Sequence, residues 1–166
     1  MTFESIPIGS EVFLDANTLI YHFANDALYG ASCTRLMERI EQGDLRGITS
    51  ADVVSDAAHR MMTIEAVELL GWPISGIAAR LRDHHAEIPR LTLFQQAIEQ
   101  VPRLGIRVVD VNLDLVLAAA KLSRQHQLLS GDALILAVMH ANRLTILASN
   151  DRDFDRVPWL TRHTPT

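Results

Sequence analysis

The stretch from Leu144 to Phe154 (Leu-Thr-Ile-Leu-Ala-Ser-Asn-Asp-Arg-Asp-Phe) limits the fold of this chain more than any other. An apolar run rich in β-branched residues stops at a small hydroxyl residue, Ser149, and acids follow at once. Such a run reads as a buried strand that delivers Ser149, Asn150 and Asp151 to the mouth of a sheet. Val-Phe-Leu-Asp-Ala-Asn (12–17) repeats the pattern of strand then carboxylate near the other end of the chain. Between them, Ser130-Gly131-Asp132 opens a helix whose residues Ala133 to Met139 are apolar on every side. A helix of that kind is buried.

The remaining elements alternate in the same way. Glu11 to Leu14 is the first strand and Ala16 to Phe23 starts a helix that Asn25-Asp26 breaks. From Ala31, the residues Cys33, Leu36, Met37 and Ile40 fall on one helical face, with Gly43 as the stop. Cys33 is then a core thiol. Leu45 to Ile48 is a second strand, and Thr49 or Ser50 caps a helix through Met62. Gly71-Trp72-Pro73 is a break, Ser75 to His85 is helical, and Leu91, Phe94, Ile98 and Val101 form a stripe ending at Pro102. Ile106 to Val111 is a third strand, and Asn112 caps a helix that buries Leu115, Ala118, Ala119 and Leu122. Ser130 caps the apolar helix to about Asn142, Leu144 to Ala148 is the fourth strand, and Val157 to His163 is either an edge strand or a tail. Strands alternating with helices imply a parallel sheet covered on both faces, with four to five strands in three α/β/α layers.

A chain of 166 residues is one domain by size, able to bury roughly 70% of its unfolded surface. We read residues 1–166 as that single domain. No apolar run approaches the ~20 residues of a membrane span, and no basic leader segment precedes the first strand. One cysteine points to a reducing cytoplasm. The net charge of −5 excludes a general basic coat for nucleic acid. An acidic chain still works on nucleic acid where metal ions neutralise its acids.

Four carboxylates are read to converge. Asp15 ends strand one, Asp56 lies in the helix after strand two, Asp132 sits in the first turn of the apolar helix, and Asp151 follows strand four. In open parallel sheets ligands bind beyond the carboxyl ends of the strands. Two charges ~4 Å apart cost about 4 kcal/mol at an effective dielectric of ~20, so such a site calls for a cation or a protonated acid. Oxygen-only ligands select hard cations such as Mg²⁺ or Mn²⁺, and the acids serve phosphodiester hydrolysis. Asp132 is expected to ionise easily beside its helix N-terminus. The blander readings are local: Asp15 as a helix cap, Asp132 as a first-turn acid, Asp56 paired with Arg60, and Asp153 and Asp155 as solvated turn acids. His84-His85 reads as surface.

These segments resemble PIN-domain ribonucleases, most closely the toxins of VapBC-type toxin–antitoxin pairs. The carrying segments are Leu-Asp-Ala-Asn-Thr-Leu-Ile-Tyr (14–21), Thr-Ser-Ala-Asp-Val-Val-Ser-Asp-Ala-Ala-His-Arg (49–60), Gly-Asp-Ala-Leu-Ile-Leu-Ala-Val (131–138) and Leu-Ala-Ser-Asn-Asp-Arg-Asp-Phe (147–154). The resemblance implies a PIN-like fold and Mg²⁺- or Mn²⁺-dependent endoribonuclease activity. It implies a catalytic quartet of Asp15, Asp56, Asp132 and Asp151, with Asp15, Asp132 and Asp151 on the metal. Asn17 and Ser149 are its supporting residues, Asn150 a turn residue, and Asp153 a cap or brace of the turn. Asp56 departs from the pattern, because the family usually carries Glu there. The resemblance also implies a homodimer and a small antitoxin whose tail enters the acidic cleft. Arg60, Arg152 and Arg156 lie near the expected mouth as RNA phosphate contacts. Two alternatives compete: a PIN-like RNA- or protein-binding module with impaired catalysis, and a haloacid-dehalogenase-like phosphatase with Asp15 as nucleophile. The second lacks an acid at Asn17 and has only Lys121 as a catalytic lysine.

Overall fold

A computed structural model describes residues 1–166. Five short strands build one parallel sheet in the order β3-β2-β1-β4-β5: β1 (Glu11–Leu14), β2 (Arg46–Ser50), β3 (Arg107–Val109), β4 (Ile146–Ala148) and β5 (Thr161–His163). The order reverses between β1 and β4, whose Phe13 and Leu14 pair with Leu147 and Ala148. In open parallel sheets such a reversal, past the strands' carboxyl ends, is where ligands bind. The central strands are apolar and buried on both faces, which requires helices above and below.

Seven α-helices supply that cover: α1 (Ala16–Phe23), α2 (Gly30–Glu41), α3 (Ala51–Leu70), α4 (Ile77–Asp83), α5 (Leu93–Arg103), α6 (Leu113–His126) and α7 (Ser130–Ala141). Right-handed crossovers put α1 to α5 on one face and the antiparallel pair α6 and α7 on the other. The core joins Val12, Phe13, Leu14 and Leu147 of the sheet to Cys33, Leu36 and Met37 of α2 and Leu136 and Met139 of α7. No helix is long and apolar enough to cross a membrane.

Most elements lie where the sequence puts them, and the departures have physical causes. α3 continues past Met62 to Leu70, because Ala66 packs with Ile77, Leu81 and Leu91 in a second apolar cluster. Gly71, in the left-handed region at φ 65°, then ends it. Ser75 to His85 is helical only over Ile77–Asp83, before a 3₁₀ segment at His85–Arg90. Ser50, and not Thr49, caps α3, accepting from the Val53 N–H at 3.4 Å. Thr49 instead donates its hydroxyl to the Leu14 carbonyl (2.9 Å). Ser130 is the first residue of α7 and makes no cap bond; Leu129 holds the cap position. α6 buries only Ala119 fully, with Leu115, Ala118 and Leu122 half-buried. Residues 157–163 resolve into the edge strand β5.

One fold contact was not expected from the sequence. Buried Glu65 of α3 accepts the backbone N–H groups of Thr92 (2.7 Å), Leu93 (3.0 Å) and Phe94 (3.1 Å) at the start of α5. The carboxylate satisfies donors that a helix start leaves unpaired. Glu65→Ala is expected to lower unfolding free energy by about 1–2 kcal/mol, since it removes the acceptor of three part-buried backbone donors. Glu65→Gln, which keeps an acceptor oxygen, should lose less. Urea denaturation of both variants checks this, and equal losses would contradict it.

Candidate active site

Asp15 follows β1 and Ser149 follows β4, so both sit at the reversal of strand order. The ladder runs on into this region: the Asp15 N–H donates to the Ala148 carbonyl (3.1 Å) and the Ser149 N–H to that of His163 (3.0 Å). Asp15 is the N-cap of α1, so the cap reading and the site reading of this residue coexist. Its Oδ1 accepts from the Ala16 N–H (2.6 Å), and its Oδ2 accepts from Asn17 Nδ2 (2.5 Å) and Ser149 Oγ (2.6 Å).

Two neutral side chains, Asn17 and Ser149, fix this carboxylate. Asn17 Nδ2 donates to Asp15 and to Ser149 Oγ (3.1 Å), while its Oδ1 accepts from the Asn150 N–H (3.1 Å). Reversing that amide would turn an acceptor onto the carboxylate, so the orientation is fixed by chemistry. Ser149 Oγ donates to Asp15 and accepts from Asn17 and from the Asp151 N–H (3.0 Å). A hydroxyl has one proton and two lone pairs, and Ser149 spends all three. Asn150 does more than turn the chain. Its amide reaches Tyr21 Oη (3.4 Å) and accepts from the Thr164 hydroxyl (3.2 Å).

Around this lock lie the other acids. Carboxylate oxygens of Asp132, Asp151 and Asp153, all half-buried, come within 4.8 Å of one another. The sequence reading put Asp15 in the metal set and left Asp153 as a cap or brace. In the structure Asp151 is the cap, accepting from the Asp153 N–H at 2.8 Å, and Asp153 joins the acid group. Asp15 stands beside that group with the lock occupying three of its lone pairs. Oδ1 keeps one lone pair free. Asp56 is exposed on α3, outside the group, and makes no ion pair with Arg60. It lines a surface cavity with Asp52, Val116, Ala120 and Leu134.

The electrostatics follow from this crowding. Burial pushes the Asp15 carboxyl up to about 6, with Asp132 and Asp151 adding to the rise against the opposing bonds from Ser149 and Ala16. Asp132 is also raised, first by burial and then by Asp151 and Asp153. The helix-terminus argument predicted easy ionisation there; desolvation and two like charges outweigh the dipole. Asp52, one turn before Asp56 on the same face of α3, is raised by burial and by Asp56. No arginine, lysine or histidine forms an ion pair with Asp15, Asp132 or Asp151. The donor set is carboxylate oxygen throughout, with no adjacent thiol or imidazole, and that chemistry fits a hard divalent cation.

The three arginines divide. Arg156 is engaged within the protein: Nη2 pairs with Asp153 Oδ1 (2.8 Å) and Nη1 donates to the Gln127 carbonyl (2.9 Å). Arg60 and Arg152 are exposed and make no ion pair. Arg162 was absent from the sequence reading, yet its side chain is only 12% exposed and touches the carbonyl of Ser149 (3.1 Å). Cys33 is buried with its thiol pushed up to about 12, chiefly by burial, and is inert.

The PIN-domain family profile matches residues 12–160. Ribonuclease VapC2 of Methanocaldococcus jannaschii is 21% identical over 155 residues, covering 91% of each chain. Among solved structures, VapBC2 from Rickettsia felis, bound to a DNA fragment from its promoter, superposes with a TM-score of 0.61. That match has 14% identity and covers 94% of this chain and 99% of that one. Mycobacterium tuberculosis VapC20, a sarcin–ricin loop cleaving toxin, superposes with a TM-score of 0.59 at 19% identity, covering 89% and 95%. At these identities the structural likeness establishes the fold.

A pH dependence follows from Asp15. The folded protein binds this proton more tightly than the unfolded chain does. The associated stability is full below the usual 3.8 and is lost as pH rises through about 6. The shift amounts to about 3 kcal/mol in the metal-free protein at neutral pH. In EDTA, wild type should therefore lose about that much relative to Asp15→Asn between pH ~4 and ~7, measured by denaturant titration. A difference that stays flat across that range would contradict the assignment.

Proposed function

The chain belongs to the PIN-domain family, and on that premise we propose that it is a Mg²⁺- or Mn²⁺-dependent endoribonuclease, the toxin of a toxin–antitoxin pair. The observation that carries this reading is the acid group at the strand-order reversal. Asp132, Asp151 and Asp153 converge there beside a raised, uncompensated Asp15.

Asp132, Asp151 and Asp153 would hold the cation, with the Asp15 carboxylate close enough to feel Asp132 and Asp151. When bound, the cation supplies positive charge for the scissile phosphate and makes an attacking water more acidic. The protein's own part is orientation. Ser149 and Asn17 hold Asp15 in one rotamer, and Ser149 also ties the Asp151 backbone to it. Asp151 in turn fixes Asp153 through the backbone N–H. Arg60 and Arg152 are available to phosphate oxygens, whereas Arg156 holds Asp153. In the hydrolysis, water oxygen bonds to phosphorus as the ester P–O bond breaks, and the leaving oxygen gains a proton. Asn17 offers no general acid to an aspartyl-phosphate route, because a carboxamide has no titratable proton to give.

The toxin reading takes its support from relatives such as VapC2 and from the VapBC2 neighbour. An antitoxin tail carrying Arg or Lys would suit the uncompensated acids. RNA as substrate and a lone buried thiol fit a cytoplasmic setting. For a homodimer the support is α6, where Leu113, Val116, Leu117 and Ala120 form an exposed stripe at helical spacing. The exposed Asp56, outside the acid group, is the one observation that favours the non-catalytic binding module.

Cleavage of end-labelled single-stranded RNA should require Mg²⁺ or Mn²⁺, stop in EDTA, and fall at least about a hundredfold in Asp151→Asn. Cutting that persists in EDTA would overturn the mechanism. RNA bound but left intact with Mn²⁺ would favour the binding module. In sedimentation velocity the wild type should run as a dimer and Leu117→Asp as a monomer; an unchanged sedimentation coefficient in the variant would remove α6 from the interface.

A further inference from the structure

Two of the three converging acids, Asp151 and Asp153, sit on the segment from Ser149 to Arg156, which leaves β4 and turns through a short 3₁₀ helix. One guanidinium holds this segment near both ends. Arg162 on β5 donates Nη1 to the Ser149 carbonyl (3.1 Å), and it pairs Nε and Nη2 with Asp155 Oδ1 and Oδ2 (2.7 and 2.9 Å). The Arg162 side chain is 12% exposed, while that of Asp155 is 55% exposed. The arginine is thus the anchored partner, and the segment closes onto it.

The fork is planar and rigid, so its three acceptors are held in fixed relation. Between those acceptors lie the two acids. The third, Asp132, belongs to α7 on the other side of the crevice. Arg156 spans from Asp153 to the Gln127 carbonyl in the turn between α6 and α7. The segment is therefore fixed against β5 by Arg162 and against the α6–α7 turn by Arg156. A small hard cation tolerates little error in ligand placement. Residues that orient carboxylate ligands from behind contribute about 10- to 100-fold in metal affinity.

We propose that Arg162 is a positioning residue for the cation site, setting Asp151 and Asp153 against Asp132 by clamping Ser149 and Asp155. This rests on the cation reading above. The alternative is a brace that stabilises the fold and leaves the acids' geometry to other contacts.

The test is Mn²⁺ titration of the purified full-length protein, with free Mn²⁺ read by electron paramagnetic resonance, for wild type, Arg162→Gln, Arg162→Lys and Asp155→Asn. Thermal melting in EDTA reads fold stability separately. Arg162→Gln should weaken Mn²⁺ binding at least about tenfold. Arg162→Lys should not restore it, since one ammonium cannot span the three acceptors. Asp155→Asn, a change at an exposed position, should weaken binding less, because the bond to Ser149 remains. It carries the test should Arg162→Gln fail to fold. Affinities within about twofold of wild type, with only the melting temperature lowered, would overturn the proposal. Wild-type protein that takes up no Mn²⁺ would overturn the cation reading, and this inference with it. That outcome differs visibly from a wild type that binds and variants that bind equally well.

Discussion

The hydrogen-bond lock of Asp15, Asn17 and Ser149 is the contact on which the rest of the site depends. It joins the ends of β1 and β4, the two strands between which the order of the sheet reverses. It sits in the core's rim, with Ser149 fully buried and Asp15 nearly so. The threonines behind it serve the same end: Thr18 donates to the Ala148 carbonyl and Thr49 to that of Leu14. Thr18 is a second donor to the Ala148 carbonyl, which the Asp15 N–H already meets, so the two strand ends are tied by side chain as well as backbone.

The lock settles where Asp15 points, but it does not neutralise it. Hydrogen bonds from neutral donors favour the anion, yet burial and two neighbouring acids win, and the carboxyl ends up at about 6. Asp132 suffers the same opposition despite its place in the first turn of a helix. A fold that concentrates acids in this way is strained electrostatically at neutral pH. The same strain would supply affinity for a cation, because binding one would remove several repulsions at once. Arg156 relieves part of it by pairing with Asp153 alone.

Much of this was legible in the chain. β1 at Glu11–Leu14 and α1 at Ala16–Phe23 fall where the alternation of apolar residues and the following acid put them. Asp15, Asn17, Ser149 and Asp151 could be brought together because each follows a strand, and parallel strands end on one edge. Asp153 and Asp56 were harder. Their roles depend on how a short turn and a helix face orient, and sequence spacing does not fix either. Arg162 was invisible because its partners are a carbonyl and an acid across a turn, with no pattern to mark them. Glu65 was missed for a related reason: its acceptors' partners are backbone N–H groups 27 to 29 residues away. α3 outran its reading because a satellite apolar cluster, built from later helices, supports its last turns.

The central claim is that this crevice is a cation site made by Asp132, Asp151 and Asp153 next to Asp15. Crystals soaked in Mn²⁺ and measured for anomalous scattering address it directly. The account predicts an anomalous peak in contact with carboxylate oxygens of Asp132, Asp151 and Asp153. No peak at these carboxylates, or a peak confined to Asp52 and Asp56 on α3, would contradict it.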